Sequence, residues 1–255
     1  MRKESGFTLI ELLVVIAIIA LLLAILMPSL QRVRKQAHSV SCLSNIKQWS
    51  YCWHMYLDES EGKFPTGDAA SGDWPEKLRS YYHDRGALTL CPSAKKPYTD
   101  GGRVPFGAWR WQTGGGGWTD FEDKAGADYG SYGMNEWLCD RPDERCWRNR
   151  EQKKAGNIPL FLDCAVWDTW PSHTQGPPPF DGAVELPNEM HLVCLNRHDG
   201  IVNTAFLDLN ARKVDLKELW TFNWNREFDI HGPWTKAGGA AAQDWPQWMS
   251  NMRDY

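Results

Sequence analysis

The chain has 255 residues, of which 42% are apolar, 24% charged and 13% aromatic, a balance that excludes collagen-like, disordered and polytopic membrane chains. A formal net charge of -4 and a pI near 6.0 argue against the broad basic surface that nucleic-acid binding by phosphate neutralisation needs. A mean hydropathy of -0.52 describes a soluble chain, yet residues 12–27 are sixteen consecutive apolar residues, so the average joins two different materials.

From Phe7 to Met27 the only polar side chains are Thr8 and Glu11, and these 21 residues reach about 31 Å as a helix, enough to cross a bilayer core. A secretory signal has a shorter apolar stretch ending at a small-residue cleavage site, whereas this run passes through Pro28 into Leu30, Gln31 and Arg32. Basic residues flank both ends, Arg2 and Lys3 before and Arg32, Arg34 and Lys35 after, so a bare positive-inside count favours a cytoplasmic C-terminal side. Glu11 is the outlier. An ionisable group inside an apolar helix costs on the order of 3 kcal/mol unless it is paired or snorkels to the interface.

The segment Gly6-Phe7-Thr8-Leu9-Ile10-Glu11, preceded by Arg2 and Lys3 and followed by the apolar run and Pro28, resembles the N-terminus of type IV prepilins and type II secretion pseudopilins. That resemblance implies cleavage between Gly6 and Phe7 by a prepilin peptidase and N-methylation of Phe7. It implies roles in assembly for Glu11 and Pro28. It also reverses the charge count, placing the following domain in the periplasm or outside the cell. Glu11 would then meet the Phe7 amine of a neighbouring subunit.

Beyond Pro28, Leu30, Val33, Ala37, Val40, Leu43, Ile46, Trp49, Trp53, Tyr56 and Leu57 recur at steps of three and four and predict one face of a continuing helix. From Phe7 to Asp58 it would be about 78 Å long. Pro28 removes one backbone hydrogen bond and should kink or locally melt it. Gly62 and Pro65 end it. The expected divisions are a leader at 1–6, a transmembrane and polymerisation helix at 7–28, its amphipathic continuation at 29–60 and a globular β-rich domain at 61–255.

In that last region Gly and Pro are too frequent for long helices. Residues 66–128, with Gly101-Gly102 and the run Gly114 to Gly117, read as loops anchored by Trp109, Trp111 and Trp118. The glycine run lacks the Gly-Lys-Ser/Thr ending of a phosphate loop. Strands are predicted at Ile158–Leu162, His191–Leu195, Ile201–Leu207 and Arg212–Val214, with turns at Asp199-Gly200 and Leu209-Asn210. Leu216–Trp220 predicts a short helix, and Trp245 and Trp248 anchor the tail. All fifteen Trp follow residue 48, which predicts an aromatic core for the domain.

A second resemblance runs through Cys42-Leu43-Ser44-Asn45, Cys91-Pro92, Ser131-Tyr132-Gly133-Met134-Asn135, Arg197-His198-Asp199-Gly200 and Phe206-Leu207-Asp208. These resemble a large bacterial group of prepilin-like proteins with a C-terminal signature of His, nine residues, then Asp-Gly. His198 and Asp208 keep the spacing, but Leu209 stands where the group has glycine, so a longer or different hairpin turn is expected.

Seven cysteines in an exported domain allow disulfides and leave at least one thiol over; Cys42 with Cys91 and Cys139 with Cys146 are the candidate pairs. No Cys-x-x-Cys occurs, and His191, Cys194 and His198 alternate faces if they lie on a strand, so no metal site is assigned. The pseudopilin resemblance allows calcium, with Asp163, Asp168 and Asp181 as available ligands but no loop spacing to select them. No catalytic residues are assigned, because His198 and Asp208 have no identifiable nucleophile and no Gly-x-Ser-x-Gly elbow occurs.

The expected fold is α+β and pilin-like, a long N-terminal helix packed on an antiparallel sheet with long loops. The expected function is structural: a subunit of a type IV pilus-like or type II secretion pseudopilus filament in protein secretion, held in the inner membrane by one span before assembly. Its partners would be itself or other pilins, a prepilin peptidase and a secretion-system inner-membrane platform, with no nucleic acid. The rival reading is a membrane-tethered carbohydrate-binding protein using exposed Trp residues in its loops.

Overall fold

The computed structural model describes residues 9–66, 74–82, 86–97, 105–111 and 128–255. The chain divides into two compact units, residues 1–37 and 38–255. A single helix, α1 (Leu9–Glu59), contains the whole apolar run and continues unbroken through Pro28. Local melting at the proline is not seen. Every Leu, Ile, Val and Met side chain from Leu9 to Val33 is exposed, by 45 to 80%.

Within the second unit, α1 buries Ser39, Cys42, Ile46, Trp49, Trp53 and Leu57, again at steps of three and four. The predicted stripe is right from Ile46 onward and wrong before it: Val40 is exposed, while Ser39 and Cys42 face inward. Hydropathy misplaced the face because the inward side chains there are small: Cys42 donates to Asp163 of the sheet, and Ser39 packs close enough for its carbonyl to accept from Asn203. The helix ends where Gly62, at φ +76°, lets its N–H reach back to the Leu57 carbonyl at 2.7 Å.

Among the described residues the main sheet has β4 (Tyr132–Asn135), β5 (Pro159–Asp163), β6 (Asp168–Thr169), β7 (Ile201–Phe206) and β8 (Ala211–Asp215), in the order β6-β4-β5-β7-β8. Its pairings are antiparallel except β4 with β6. A smaller sheet joins β1 (Lys96–Pro97), β2 (Gly107–Trp111) and β3 (Asp128–Gly130). Two short helices, α2 (Trp74–Tyr82) and α3 (Gly86–Thr89), precede it. Helix α1 packs on the main sheet in an α+β, pilin-like arrangement: Trp49 meets Phe161 of β5 with ring centroids 5.4 Å apart, and Asn203 of β7 donates to the Ser39 carbonyl at 3.3 Å.

The core is aromatic. Trp49 also packs against Trp74 and Tyr82, Trp74 against Trp109, and Trp109 against Trp167. The indole N–H groups are satisfied by carbonyls: Trp49 donates to Leu88 at 2.9 Å and Trp109 to Tyr132 at 2.8 Å. A Cβ on Gly130 would lie 2.2 Å from the Trp109 ring, so only glycine fits beneath that indole. The tail is tied by Trp245 against Trp220, and by Trp248 donating to the Pro178 carbonyl at 2.9 Å.

The strand expected at His191–Leu195 is instead a 3-10 turn, Glu189–Leu192, followed by coil. The Asn188 side chain accepts from the Met190 N–H and starts that turn, and Leu192 accepts from Ala165. The apolar run is buried without joining a ladder, a case that periodicity does not separate from a strand. Strands β1, β2, β3, β4 and β6 lie outside the predicted strands because each has only two to five residues and none carries an aliphatic run.

Candidate functional site

Four side chains from four distant segments meet under α1. Cys42 comes from α1, Cys91 from the coil after α3, Asp163 from the end of β5, and His198 from the turn before β7. Their donor atoms all lie within 4.8 Å of one another, and all four residues are buried. Cys42 Sγ donates to Asp163 Oδ1 at 3.2 Å; Cys91 Sγ is 3.4 Å and Asp163 Oδ2 3.5 Å from His198 Nε2.

Local structure explains the convergence. Phe161 and Asp163 are two apart on β5 and share the face that α1 covers. Cys91 is placed by Ser131, whose Oγ accepts from the Cys91 N–H and donates to the Ala94 carbonyl, both at 2.8 Å. His198 is set by a tight turn in which Asp199 and Gly200 have φ of +55° and +87° and Asn196 Oδ1 accepts from the Gly200 N–H at 2.6 Å. Beside it the buried Arg197 guanidinium donates to the carbonyls of Pro105, Ser131 and Cys164 and lies 3.6 Å from Asp163.

The charges are distributed unevenly. Burial pushes the Cys42 thiol well up, whereas the hydrogen bond with Cys42, helped by His198 and Arg197, brings Cys91 down to about 6 against its burial. Burial disfavours a charged His198, but hydrogen bonds to Asp163 and Cys91 outweigh it and raise the ring to about 9. Asp163 is lowered despite full burial, by His198, Arg197 and the Asn203 N–H.

This is not a Cys-His-Asp catalytic triad. A triad uses one ring nitrogen for the nucleophile and the other for the carboxylate. Here Nε2 faces both partners, while Nδ1 is buried with no hydrogen-bond partner among the described residues. The arrangement suits a closed ligand set.

The other residues singled out from sequence fall as follows. Gly6 and Phe7 lie outside the described residues, as do the glycine run and Trp118. Glu11 sits exposed in the first turn of α1, and Pro28 lies inside that helix. Cys139 and Cys146 are free thiols with their sulfurs 2.7 Å apart; Cys42 and Cys91 are free thiols within the cluster. His191 accepts from the Glu185 N–H at 3.1 Å, and neither it nor Cys194 belongs to the cluster. Asp163 belongs to it, but Asp168 and Asp181 do not. Asp208 is exposed and accepts from the Asn210 N–H at 2.9 Å, which closes the β7–β8 turn.

No Trp whose side chain is described is exposed: nine are buried and Trp147, Trp170, Trp234 and Trp248 are partly so.

Residues 1–27, which hold the apolar run that α1 exposes, match the family described as the prokaryotic N-terminal methylation motif. The chain carries an N-terminal methylation motif. A relative, the type IV wide pilus major component PilA4 of Thermus thermophilus, is 63% identical over 38 residues, which are 15% of this chain and 29% of that protein. The prepilin likeness therefore covers only a short part of either chain. No solved structure matches the chain.

Proposed function

We propose that the chain is a prepilin-type structural subunit that waits in the inner membrane and polymerises through α1 into a pilus or pseudopilus, in its simplest form that of a type II secretion system. The observation that carries this reading is the union of the prepilin motif with a helix that leaves all its large apolar side chains from Leu9 to Val33 exposed. Such a surface needs lipid or other subunits to cover it. Among the described residues α1 is the one helix long and apolar enough to cross a membrane.

In this reading a prepilin peptidase cuts between Gly6 and Phe7 and methylates the new Phe7 amine. Glu11 then pairs with the Phe7 amine of the adjacent subunit, so that one contact neutralises two charges in an apolar array and sets the axial register. The apolar helices leave lipid and pack against one another, while the domain from about residue 61 faces the periplasm or the cell exterior. An inner-membrane platform would supply the subunits.

Mass spectrometry of the chain expressed with and without a prepilin peptidase tests the processing step. The expected product begins at Phe7 and carries one added methyl group. An unprocessed chain in the presence of active peptidase contradicts the proposal.

A further inference from the structure

We propose that Cys42, Cys91, Asp163 and His198 form a structural zinc site that staples α1 to the sheet. Zinc takes four ligands tetrahedrally, with metal–sulfur distances of about 2.3 Å and metal–nitrogen or –oxygen distances of about 2.0–2.2 Å. Those lengths require ligand-to-ligand separations of about 3.3–3.8 Å. The contacts of 3.2 Å from Cys42 Sγ to Asp163 Oδ1, 3.4 Å from Cys91 Sγ to His198 Nε2 and 3.5 Å from His198 Nε2 to Asp163 Oδ2 lie at or just under that spacing. All four donor atoms fall within 4.8 Å of one another, so small side-chain rotations close the set around one ion.

The donor types select the metal. Two sulfurs exclude calcium and magnesium, which take oxygen ligands, and the mixture of thiolate, imidazole and carboxylate suits zinc. Formal charge agrees. Two thiolates, one carboxylate and a neutral imidazole carry -3; a divalent ion and the adjacent Arg197 guanidinium, 3.6 Å from Asp163, bring the buried site to neutrality. Four protein donors fill a tetrahedral shell with no position left for water, which marks a structural rather than a catalytic site.

A disulfide between Cys42 and Cys91 would use the two sulfurs and leave unexplained why Asp163 and His198 are buried around them. The ion instead gives all four a role. It joins segments 42, 91, 163 and 198, so that the helix proposed to carry assembly is fixed to the domain by coordination as well as by Trp49 and Trp53. The site is complete within one chain and does not depend on filament formation.

The test uses the full chain, purified in detergent under reducing conditions. Elemental analysis should find about one zinc per chain, and exchange with cobalt(II) should give thiolate charge-transfer bands and the intense visible bands of a tetrahedral site. Cys42→Ser and Cys91→Ser should reduce both to background, while Cys52→Ser, which alters a buried cysteine outside the cluster, should retain them. Should the cluster variants fail to fold, the wild-type chain still decides: a chelator should strip the zinc and lower Tm, and added zinc should restore it. Wild-type protein that takes up neither zinc nor cobalt in stoichiometric amount overturns the proposal. So does a Cys42–Cys91 disulfide in protein isolated without reductant from its native compartment.

Discussion

Lys47, on the face of α1 toward the β7–β8 turn, donates from Nζ to the carbonyl oxygen of Leu209, the residue that stands where the resembling proteins have glycine. Leu209 holds φ at +66°, in the left-handed region that glycine favours. The turn is therefore not lengthened by the leucine. It keeps a backbone shaped for glycine, closed by bonds from Leu209 N–H to Phe206 and from Phe206 N–H to Asn210, and tolerates the side chain under strain.

Leu209→Gly should stabilise the protein. Relief of a left-handed leucine contributes about 1–2 kcal/mol, offset by the greater freedom of glycine in the unfolded chain, about 0.4–1 kcal/mol. The Lys47 bond goes to the backbone and survives. The expected net gain of roughly 1 kcal/mol appears as a Tm about 2–4 °C higher in thermal unfolding; a lower Tm would show that the leucine side chain is needed for packing.

Glu136 should make the protein less stable as pH rises. Burial first, then the neighbouring Asp168, pushes its carboxyl up to about 11 against the opposing pull of Arg141. Folding thus takes up a proton at any pH between the ordinary value near 4.5 and that raised one. The stability from the protonated group is complete below about 4.5 and declines as pH climbs toward about 11. Glu136→Gln should match wild type near pH 4 in urea unfolding and exceed it at pH 8; an unchanged pH profile would place the carboxylate in its ionised form.

Arg197→Lys should cost about 3 kcal/mol or more in denaturant unfolding. The guanidinium spans three carbonyls from three segments, whereas an ammonium is a point donor that leaves buried acceptors unpaired and Asp163 less compensated. A loss below about 1 kcal/mol, the range of an exposed ion pair, would contradict that role.

Trp49→Ala should cost about 3–5 kcal/mol in the same experiment, because it removes contacts with Trp74, Tyr82 and Phe161 and orphans the Leu88 carbonyl. Trp49→Phe keeps the ring contacts and should cost less; equal losses would mean that the hydrogen bond rather than packing holds this helix face.

The helix was legible because sixteen apolar residues in a row and a three-four repeat are strong local signals, and β5, β7 and β8 because they carry compact aliphatic or alternating patterns. The inward face at Ser39 and Cys42 was not, since small polar residues carry no apolar periodicity. The cluster was hidden for a different reason. Sequence reading pairs Cys42 with Cys91 as a candidate disulfide, but it places His198 only in a resembling turn segment and offers Asp163 only as an oxygen ligand. What joins them is sheet register and helix placement across 121 residues between Cys42 and Asp163 and 107 between Cys91 and His198. Spacing along the chain does not encode that.

Glu11→Ala should leave membrane insertion intact, because it removes a charge from an apolar segment, while blocking assembly. Normal filament yield from this variant, measured beside wild type, would show that the carboxylate does not set the register.

The most direct measurement is electron microscopy of cells expressing the chain with an active or an inactivated prepilin peptidase. Assembly through α1 after processing should give filaments containing the chain only with the active enzyme, and the unassembled chain in the inner membrane without it. A processed chain that stays monomeric in the membrane with the peptidase and assembly machinery present, or filaments that form without processing, would contradict it.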